Sequence, residues 1–208
     1  MDPLPAPRLV LASASPARLA RLRRAGIEPV VVVSGADESA VTEPVPGRLA
    51  LRLAELKAEA VAARIEPGPL VLGCDSVLEY AGEIYGKPDD AEDAVARWKR
   101  MRGGTGVLHT GHCLIDTATG RRAAQPADTL VRFAPVSDAE IAAYVATGEP
   151  LRVAGGFTID GIGGPFVEGV DGDPGTVIGL SLPLLRRLLG ELGLSITDLW
   201  TTTGEPDG

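Results

Sequence analysis

The sequence predicts an α/β protein built on a mixed β-sheet, and two observations indicate this fold class. Apolar, β-branched runs alternate with amphipathic helical segments through the first half, which is typical of strands joined by helices. The second half contains two long strand-like segments joined by the turn T-A-T-G, which favours an antiparallel pair. No repeat or linker-like change of composition divides the chain. We therefore expect a single domain over residues 1–208, with a frayed tail at 202–208.

Local signals place the elements of the first half. Ser15 is a favoured N-cap and Pro16 a favoured first helical residue, so a helix is expected from Pro16 to about Ala25, ended by Gly26. The other predicted elements are buried strands at 8–12 and 29–34, a third strand at 69–76, and a helix over about 47–64 with Leu49, Leu53 and Leu56 facing inward.

The later elements follow from turn and capping residues. Ala-Gly marks the turn of a hairpin over 77–88, and Asp89 or Asp90 caps a helix that ends near Gly103. Ser137 and Glu140 form a capping box at the start of another helix. The remaining predicted elements are two long strands within 106–133, short strands and tight loops in the glycine-rich stretch 154–181, and an amphipathic helix over 182–193.

Composition narrows the function classes. A hydrophobic content of 45% and a charged content of 23% are globular values, while the net charge of −8 argues against DNA or RNA as the main partner. No apolar run is long enough to cross a membrane, and M-D-P-L-P-A-P lacks the features of a signal peptide. We expect a cytoplasmic protein that does not bind membranes, with Cys74 and Cys113 both reduced.

Two segments combine polar side chains with strand ends. In S-A-S-P-A-R, the hydroxyl of Ser13 and the guanidinium of Arg18 lie where a helix begins, and this arrangement suits a phosphate as well as an ordinary strand–turn–helix connection. Asp75 ends an apolar strand, where it could bind a metal, accept a proton from water, or merely cap a turn.

Other candidates are weaker when taken singly. Lys87 lies between a glycine and a proline, which suits a fixed phosphate contact or a solvated turn, and Lys57 lies on a predicted helix where most lysines face water. His109 and His112 are three residues apart in a predicted strand, so their side chains should point to opposite faces, which disfavours a shared metal. The glycine-rich stretches match neither the Rossmann nor the P-loop pattern.

The motifs taken in order resemble a known family. They are L-V-L-A-S-A-S-P-A-R, the lysine-bearing helix L-A-L-R-L-A-E-L-K-A-E-A-V, the segment G-C-D-S-V-L-E-Y-A-G-E-I-Y-G-K-P, and the closing run from Y-V-A-T-G-E to G-D-P-G-T-V-I-G-L. This set, which spans nearly the whole chain, is similar to that of the Maf family of nucleoside triphosphate pyrophosphatases, described also as inhibitors of septum formation.

The resemblance implies a fold, a reaction and a set of residues. The implied fold is an elongated mixed sheet with flanking helices and two lobes around a central cleft, often as a homodimer. The implied reaction converts a nucleoside triphosphate to the monophosphate and pyrophosphate with Mg²⁺ or Mn²⁺. The residues that match the family's pattern are Asp75 as proton acceptor, Ser13, Arg18, Lys57, Lys87 and Glu38 as phosphate-site residues, and Asp75 and Glu38 as metal ligands.

The chain departs from the family at its specificity positions. Characterised subgroups carry arginine or a bulky aromatic residue where this chain has Ala17, and commonly glutamine where it has Asp160. Ser76, which follows the matched aspartate, is grouped with these positions. The base preference is therefore not transferred from the family. Two other functions stay open at this point: a nucleotide-binding regulator of cell division with little turnover, and a hydrolase of another phosphorylated metabolite.

Overall fold

The structure is a computed structural model that describes residues 8–201. The segment considered for a signal peptide and the predicted tail at 202–208 lie outside the described residues. Within the described range the helices are α1 (Pro16–Arg24), α2 (Pro46–Ala62), α3 (Ala91–Met101), α4 (Asp138–Ala146), α5 (Pro174–Ile178) and α6 (Leu182–Glu191). The strands are β1 (Leu9–Leu11), β2 (Val30–Val31), β3 (Leu70–Tyr80), β4 (Glu83–Tyr85), β5 (Thr105–Asp116), β6 (Arg122–Phe133) and β7 (Val167–Asp171).

These strands form one mixed sheet, which confirms the predicted fold class. The strand order is β2-β1-β3-β5-β6-β7, with β4 paired to the far end of β3. β1 is parallel to both β2 and β3, whereas β3–β5, β5–β6 and β6–β7 are antiparallel. The long strands β3, β5 and β6 therefore form the length of the sheet, and the parallel part occupies one end of it.

The hydrophobic core is divided between the two ends of these long strands. On one face, Leu72 and Leu114 pack with α1 and α6 in one cluster, while Leu78 and Leu108 pack with α3 and α4 in another. Between the two clusters β3 and β5 carry polar residues instead of large apolar ones. On this face two clusters thus share one sheet with a polar middle, and a third cluster, which includes Val10, Val71 and alanines of α2, lies on the opposite face.

Helix α2 covers the opposite face of the sheet at unusually close range. A Cβ atom on Gly73 would lie 2.2 Å from the carbonyl oxygen of Ala54, and one on Gly111 would lie 2.2 Å from that of Ala50. The buried face of α2 is accordingly made mostly of alanines. Of the three leucines predicted to face inward, Leu53 is buried, whereas Leu49 and Leu56 are half-buried. Glycines on the strands and alanines on the helix let the two backbones approach.

Two further predictions, one about the burial of a strand and one about the absence of a helix, are wrong. The run 29–34 was expected to be a buried strand, but only Val30–Val31 pair, and they are 46% and 41% exposed because β2 is the edge strand of the sheet. The glycine-rich stretch was expected to contain no helix, yet Pro174–Ile178 is helical, with Asp173 as N-cap and Gly179 ending it in the left-handed region.

The local signals of the other elements are confirmed. Ser15 accepts a hydrogen bond from the amide of Arg18, and Ser137 with Glu140 forms the capping box of α4. The Ala-Gly turn between β3 and β4 has both residues at positive φ, as a tight hairpin turn requires. Over residues 8–201, no helix combines the length and hydropathy needed to cross a membrane.

Candidate active site

The candidate site lies at an open stretch of one edge of β3. Strand β1 pairs with β3 only as far as Leu72, and β4 begins to pair at Leu78. Among residues 8–201, residues 73–77 therefore have no strand partner on this side; we call this stretch the edge gap. Successive residues of a strand point to opposite faces, so Asp75 and Ser76 present their side chains on the two sides of the edge gap.

Arg18 occupies the side of the edge gap that Ser76 faces. The residue is buried (9% exposed), and its guanidinium donates from Nη1 to the Ser13 hydroxyl at 3.0 Å and from Nη2 to the Ser76 hydroxyl at 3.2 Å. Its Nε donates to the carbonyl of Gly179 at 2.8 Å. A guanidinium has five N–H donors, so within the described part of the chain one N–H on each terminal nitrogen is left to bind a ligand. These two N–H groups form the fork that suits a phosphate or carboxylate.

Residues distant in sequence hold this guanidinium in place. Ser76 Oγ lies 2.8 Å from Thr110 Oγ1, which donates to the carbonyl of Thr176 at 2.7 Å. The Thr110 hydroxyl donates its hydrogen to Thr176, so it can only accept from Ser76. The Ser76 hydroxyl therefore accepts from Arg18 and donates to Thr110. Gly179 has φ +104°, and a Cβ there would lie 3.1 Å from Arg18 Nε. The closing V-I-G-L segment therefore needs glycine where it contacts the arginine.

The Asp75 side of the edge gap holds a lysine between two carboxylates. Lys57 Nζ on α2 donates to Asp75 Oδ1 and lies 3.0 Å from Glu38 Oε1. The side chains of Lys57 and Asp75 are 13% and 14% exposed, whereas that of Glu38 is 48% exposed. The close packing of α2 against Gly73 is what brings Lys57 to Asp75.

Lys87 lies beyond the other end of the edge gap, two residues after β4 ends. Its side chain is exposed, but the backbone around it is held firmly, since Gly86 O accepts from Gly155 N at 2.9 Å and from Arg97 Nη1 at 3.0 Å. Pro88 is buried against Gly156. The lysine ammonium is thus exposed at the end of a side chain whose backbone is held by the hydrogen bonds at Gly86 and the packing of Pro88.

A cavity of about 160 Å³ adjoins the Arg18 side. Ala17 and Ile178 line it, and these residues immediately precede Arg18 and Gly179, which contact each other. Asp160 lines the same cavity although it is far away in the sequence. The remaining lining residues are Ala20, Arg21, Arg24, Ala25 and Leu182.

The histidines and cysteines of β3 and β5, next to the site, are hydrogen-bonded or buried. His112 is fully buried; its Nε2 accepts from the amide of Ser181 at 2.8 Å, and burial lowers its pKa to about 4. His109 lies on the opposite face, as its spacing from His112 predicted, with Nδ1 2.7 Å from Asp128 and Nε2 3.1 Å from Glu79. Cys74 and Cys113 are free and buried.

Most residues singled out from the sequence converge on the edge gap or the adjoining cavity. Ser13, Arg18 and Ser76 share contacts, as do Lys57, Asp75 and Glu38, while Ala17 and Asp160 line one cavity. Thr110, Thr176 and Gly179 were missed as site residues. Thr110 lies between the two histidines of H-T-G-H, and Gly179 lies in the closing V-I-G-L motif; neither residue type by itself signals a contact with Ser76 or Arg18.

The fold and the site together define an α/β protein whose sheet has an open strand edge, with a carboxylate beside a lysine on one face and a buried arginine on the other. Residues 8–192 match the profile of the family described as Maf-like protein. The chain belongs to the Maf family.

Close relatives cover nearly the whole chain. A protein of Salinispora tropica named nucleoside triphosphate pyrophosphatase is 65% identical over 198 residues, covering 93% of this chain and 88% of its own. A protein of Streptomyces coelicolor with the same name is 63% identical over 201 residues, covering 96% and 98%. A solved dITP/XTP pyrophosphatase of Mycobacterium abscessus aligns at 15% identity with a TM-score of 0.41, over 89% of this chain and 97% of that one. That last likeness is too distant to bear on the site.

Proposed function

We propose that this protein is a nucleoside triphosphate pyrophosphatase, which hydrolyses a nucleoside triphosphate to the nucleoside monophosphate and pyrophosphate. The observation that supports it best is the edge gap, where Asp75 and Lys57 lie on one side and the Arg18 fork on the other. The relatives above, at 65% and 63% identity, are named for this activity. The proposal also accounts for a local basic pocket in a chain of net charge −8.

In this proposal the triphosphate lies along the edge gap. The two remaining N–H groups of Arg18 bind phosphate oxygens as a fork, and the Ser13 hydroxyl, which accepts from Arg18 and from the Ser15 amide, keeps its hydrogen to donate. The N-terminal end of α1 adds a favourable dipole next to these groups. Lys87 approaches from the other end of the gap. Together these groups stabilise the negative charge that builds up on pyrophosphate as it leaves.

Asp75 is proposed as the proton acceptor for the attacking water. The water oxygen bonds to the α-phosphorus, the bond from that phosphorus to the α–β bridging oxygen breaks, and the water proton passes to the carboxylate. Lys57 holds Oδ1 of Asp75, so the other carboxylate oxygen is left to face the water. Acid–base help of this kind typically contributes ~10²–10⁴-fold in rate.

A divalent cation fits the donor set of this side. Glu38 and Asp75 direct oxygens at the same ammonium, and carboxylate oxygens are the ligands that Mg²⁺ and Mn²⁺ prefer. Over residues 8–201, no three His, Cys, Asp or Glu side chains are grouped to hold a metal. As an alternative to the role of Asp75 as proton acceptor, we propose that Asp75 and Glu38 would hold Mg²⁺ or Mn²⁺ together with substrate oxygens, and a cation held there would neutralise phosphate charge.

The cavity lined by Ala17 and Asp160 is proposed to receive the nucleobase. A small side chain at position 17 leaves room, and the Asp160 carboxylate can accept hydrogen bonds from an exocyclic amino group or a ring N–H. Ser76 contacts Arg18, so we propose that any effect of Ser76 on specificity passes through the phosphate fork. A homodimer, a cytoplasmic location and the lack of nucleic-acid or membrane binding stay predictions.

One experiment tests the reaction. The purified protein is given a panel of nucleoside triphosphates with Mg²⁺ or Mn²⁺, and pyrophosphate and orthophosphate are measured separately. We expect pyrophosphate and monophosphate from the wild type, and a loss of about 10²-fold or more in kcat for Asp75→Asn. Glu168→Gln, which changes an exposed carboxylate on β7, is the matched control and should behave as the wild type.

The same panel distinguishes the alternatives. Release of orthophosphate would identify a different phosphohydrolase, and tight nucleotide binding without turnover would support a regulator. Pyrophosphate release by Asp75→Asn at the wild-type rate would refute the role of Asp75 while leaving the reaction itself intact.

A further inference from the structure

The segment Y-V-A-T-G-E (144–149) at the end of α4 has no role in the reaction described above. It leads through short 3₁₀ turns into residues 154–163, which we call the glycine loop. The glycine loop contains Asp160, the one lining residue of the cavity that comes from this part of the chain. The position of Asp160 therefore depends on what holds the glycine loop.

Glu149 makes most of the side-chain contacts that hold the second half of the glycine loop. Its Oε1 accepts from Thr158 Oγ1 at 2.6 Å and from the amide of Gly163 at 2.9 Å, and its Oε2 accepts from the amide of Ile162 at 3.0 Å. Tyr144 Oη also donates to Oε1, at 2.9 Å. These donors lie on both sides of Asp160 in the sequence, so a single carboxylate closes the loop around it.

The glycines of this segment are needed for the same contact. A Cβ on Gly161 would lie 2.5 Å from Glu149 Oε2, and one on Gly163 would lie 2.3 Å from Tyr144 Oη. A side chain at either position would push the loop away from the carboxylate. The loop is thus built for close approach to Glu149.

The charge of Glu149 strengthens these hydrogen bonds. Burial alone would raise its pKa, but the hydrogen bonds from Thr158 and from the amides of Ile162 and Gly163 outweigh burial and lower the pKa below its ordinary value. The group is therefore an ionised acceptor at neutral pH, and hydrogen bonds to an ionised acceptor are stronger than neutral ones.

The first half of the glycine loop is held independently. Gly155 N donates to Gly86 O at 2.9 Å, and Trp98 Nε1 donates to Gly156 O at 2.8 Å. These contacts tie the loop to the backbone that carries Lys87. Loss of Glu149 would consequently release Asp160 without displacing Lys87.

We propose that Glu149 is a positioning residue for base recognition: it fixes the glycine loop so that the Asp160 carboxylate faces the nucleobase in the cavity. This inference rests on the proposed function of that cavity. Because Asp160 contacts the base and not the phosphates, its displacement weakens substrate and transition state alike, so KM changes and kcat does not.

Glu149→Gln tests the proposal by steady-state kinetics on the nucleotide panel. Both carboxylate oxygens of Glu149 accept hydrogen bonds, whereas the side-chain amide of glutamine has one accepting oxygen and one donating NH₂ group. In Glu149→Gln the NH₂ group would face N–H or O–H donors, so the loop loses part of its support. We expect KM for the preferred nucleotide to rise about tenfold at nearly unchanged kcat, and the spread of kcat/KM across the panel to shrink. Asp160→Ala should give the same pattern, and the double variant should be no worse than the worse single one.

A purely structural role predicts something different. In that case Glu149→Gln would lower the rate equally for all nucleotides with KM unchanged, and its effect would add to that of Asp160→Ala; either result would overturn the proposal. Glu140→Gln is the matched control, since it removes the capping-box carboxylate of the same helix, α4, and should lower stability without changing the nucleotide ranking. Thr158→Val, which removes one donor at similar volume, should shift KM in the same direction if Glu149→Gln does not fold.

Amide hydrogen exchange separates this proposal from the proposed function. In Glu149→Gln the amides of Ile162 and Gly163 should exchange faster, while those of β3 and β5 keep their wild-type rates. If the wild type hydrolysed no nucleotide, the proposed function would fail, and this exchange pattern would still show that Glu149 holds the glycine loop. Unchanged exchange at Ile162 and Gly163 would refute it whatever the activity.

Discussion

Gly73→Ala is expected to disturb the site through the packing of α2. The added Cβ would lie 2.2 Å from Ala54 O and 2.8 Å from Ala58 N, both of them backbone atoms. An ordinary contact needs at least 3.4 Å, so the helix must retreat by about 1.2 Å at this point. Ala54 and Ala58 flank Lys57 on the same helix, and the lysine would move away from Asp75 together with them.

Two opposing effects set the magnitude on stability. Alanine is favoured over glycine inside a strand by roughly 0.5–1 kcal/mol, whereas overpacking a rigid interface costs about 1–3 kcal/mol. The clash is with backbone atoms, which cannot rotate away as a side chain can. The overpacking cost should therefore exceed the gain from alanine, and we expect the free energy of unfolding to fall by about 1–2 kcal/mol. Misplacing a catalytic group by ~1 Å can lower the rate ~10²-fold. The flexible side chain of Lys57 can follow Asp75 part of the way, so we expect kcat to fall by about tenfold or more.

Urea unfolding and initial rates of pyrophosphate release measure these two effects. Gly190→Ala is the control, because that glycine lies in α6, a Cβ there would meet no atom within 4 Å, and alanine should be accepted at no cost. Wild-type stability and kcat in Gly73→Ala would refute the reasoning that close packing of α2 places Lys57. Lost stability with an unchanged kcat would show that the lysine is placed by its own contacts.

The remaining predictions concern buried groups near the site. Burial lowers the pKa of His112 from 6.5 to about 4, so the unfolded chain binds a proton first as the pH falls, and about 3 kcal/mol of stability should be lost between pH 6.5 and 4. In His112→Gln the unfolding free energy should depend less on pH across this window, and an identical pH profile would contradict the assignment. Burial raises the pKa of Cys74 and of Cys113 to about 12, so neither thiol should react with a thiol reagent at pH 8 until urea unfolds the protein. Rapid labelling of the folded protein would show that the sheet opens locally.

Elements whose signals are local were predicted well. The N-cap Ser15, the hairpin turn at Ala81 and Gly82, and the capping box of Ser137 each depend on residues within a few positions, and each is found where expected. The burial of an element is not a local property. The valines near position 30 have the composition of a core strand, and only the sheet order shows that they lie at its edge.

At the candidate site too, the residue types could be predicted from the sequence, but their arrangement could not. Sequence reasoning named Asp75, Arg18 and Lys57, because their residue types and positions after strands or on a helix match an anion site and the family motif. It could not show that Asp75 and Ser76 point to opposite sides of an open strand edge, since that depends on where β1 and β4 stop pairing. Nor could it find Thr110 or Gly179, whose contacts with Ser76 and Arg18 join positions 34 and 161 residues apart.

By itself the sequence determined most of the elements, their caps and turns, the family, and most of the residues that meet at the candidate site. Only the tertiary structure decided how these residues are held: Lys57 by a helix packed on glycines, Arg18 by a distant carbonyl, and the loop on both sides of Asp160 by Glu149. The physical reason is that a residue's type and neighbours fix what it can bind, whereas its orientation is fixed by partners that only the folded chain brings into contact.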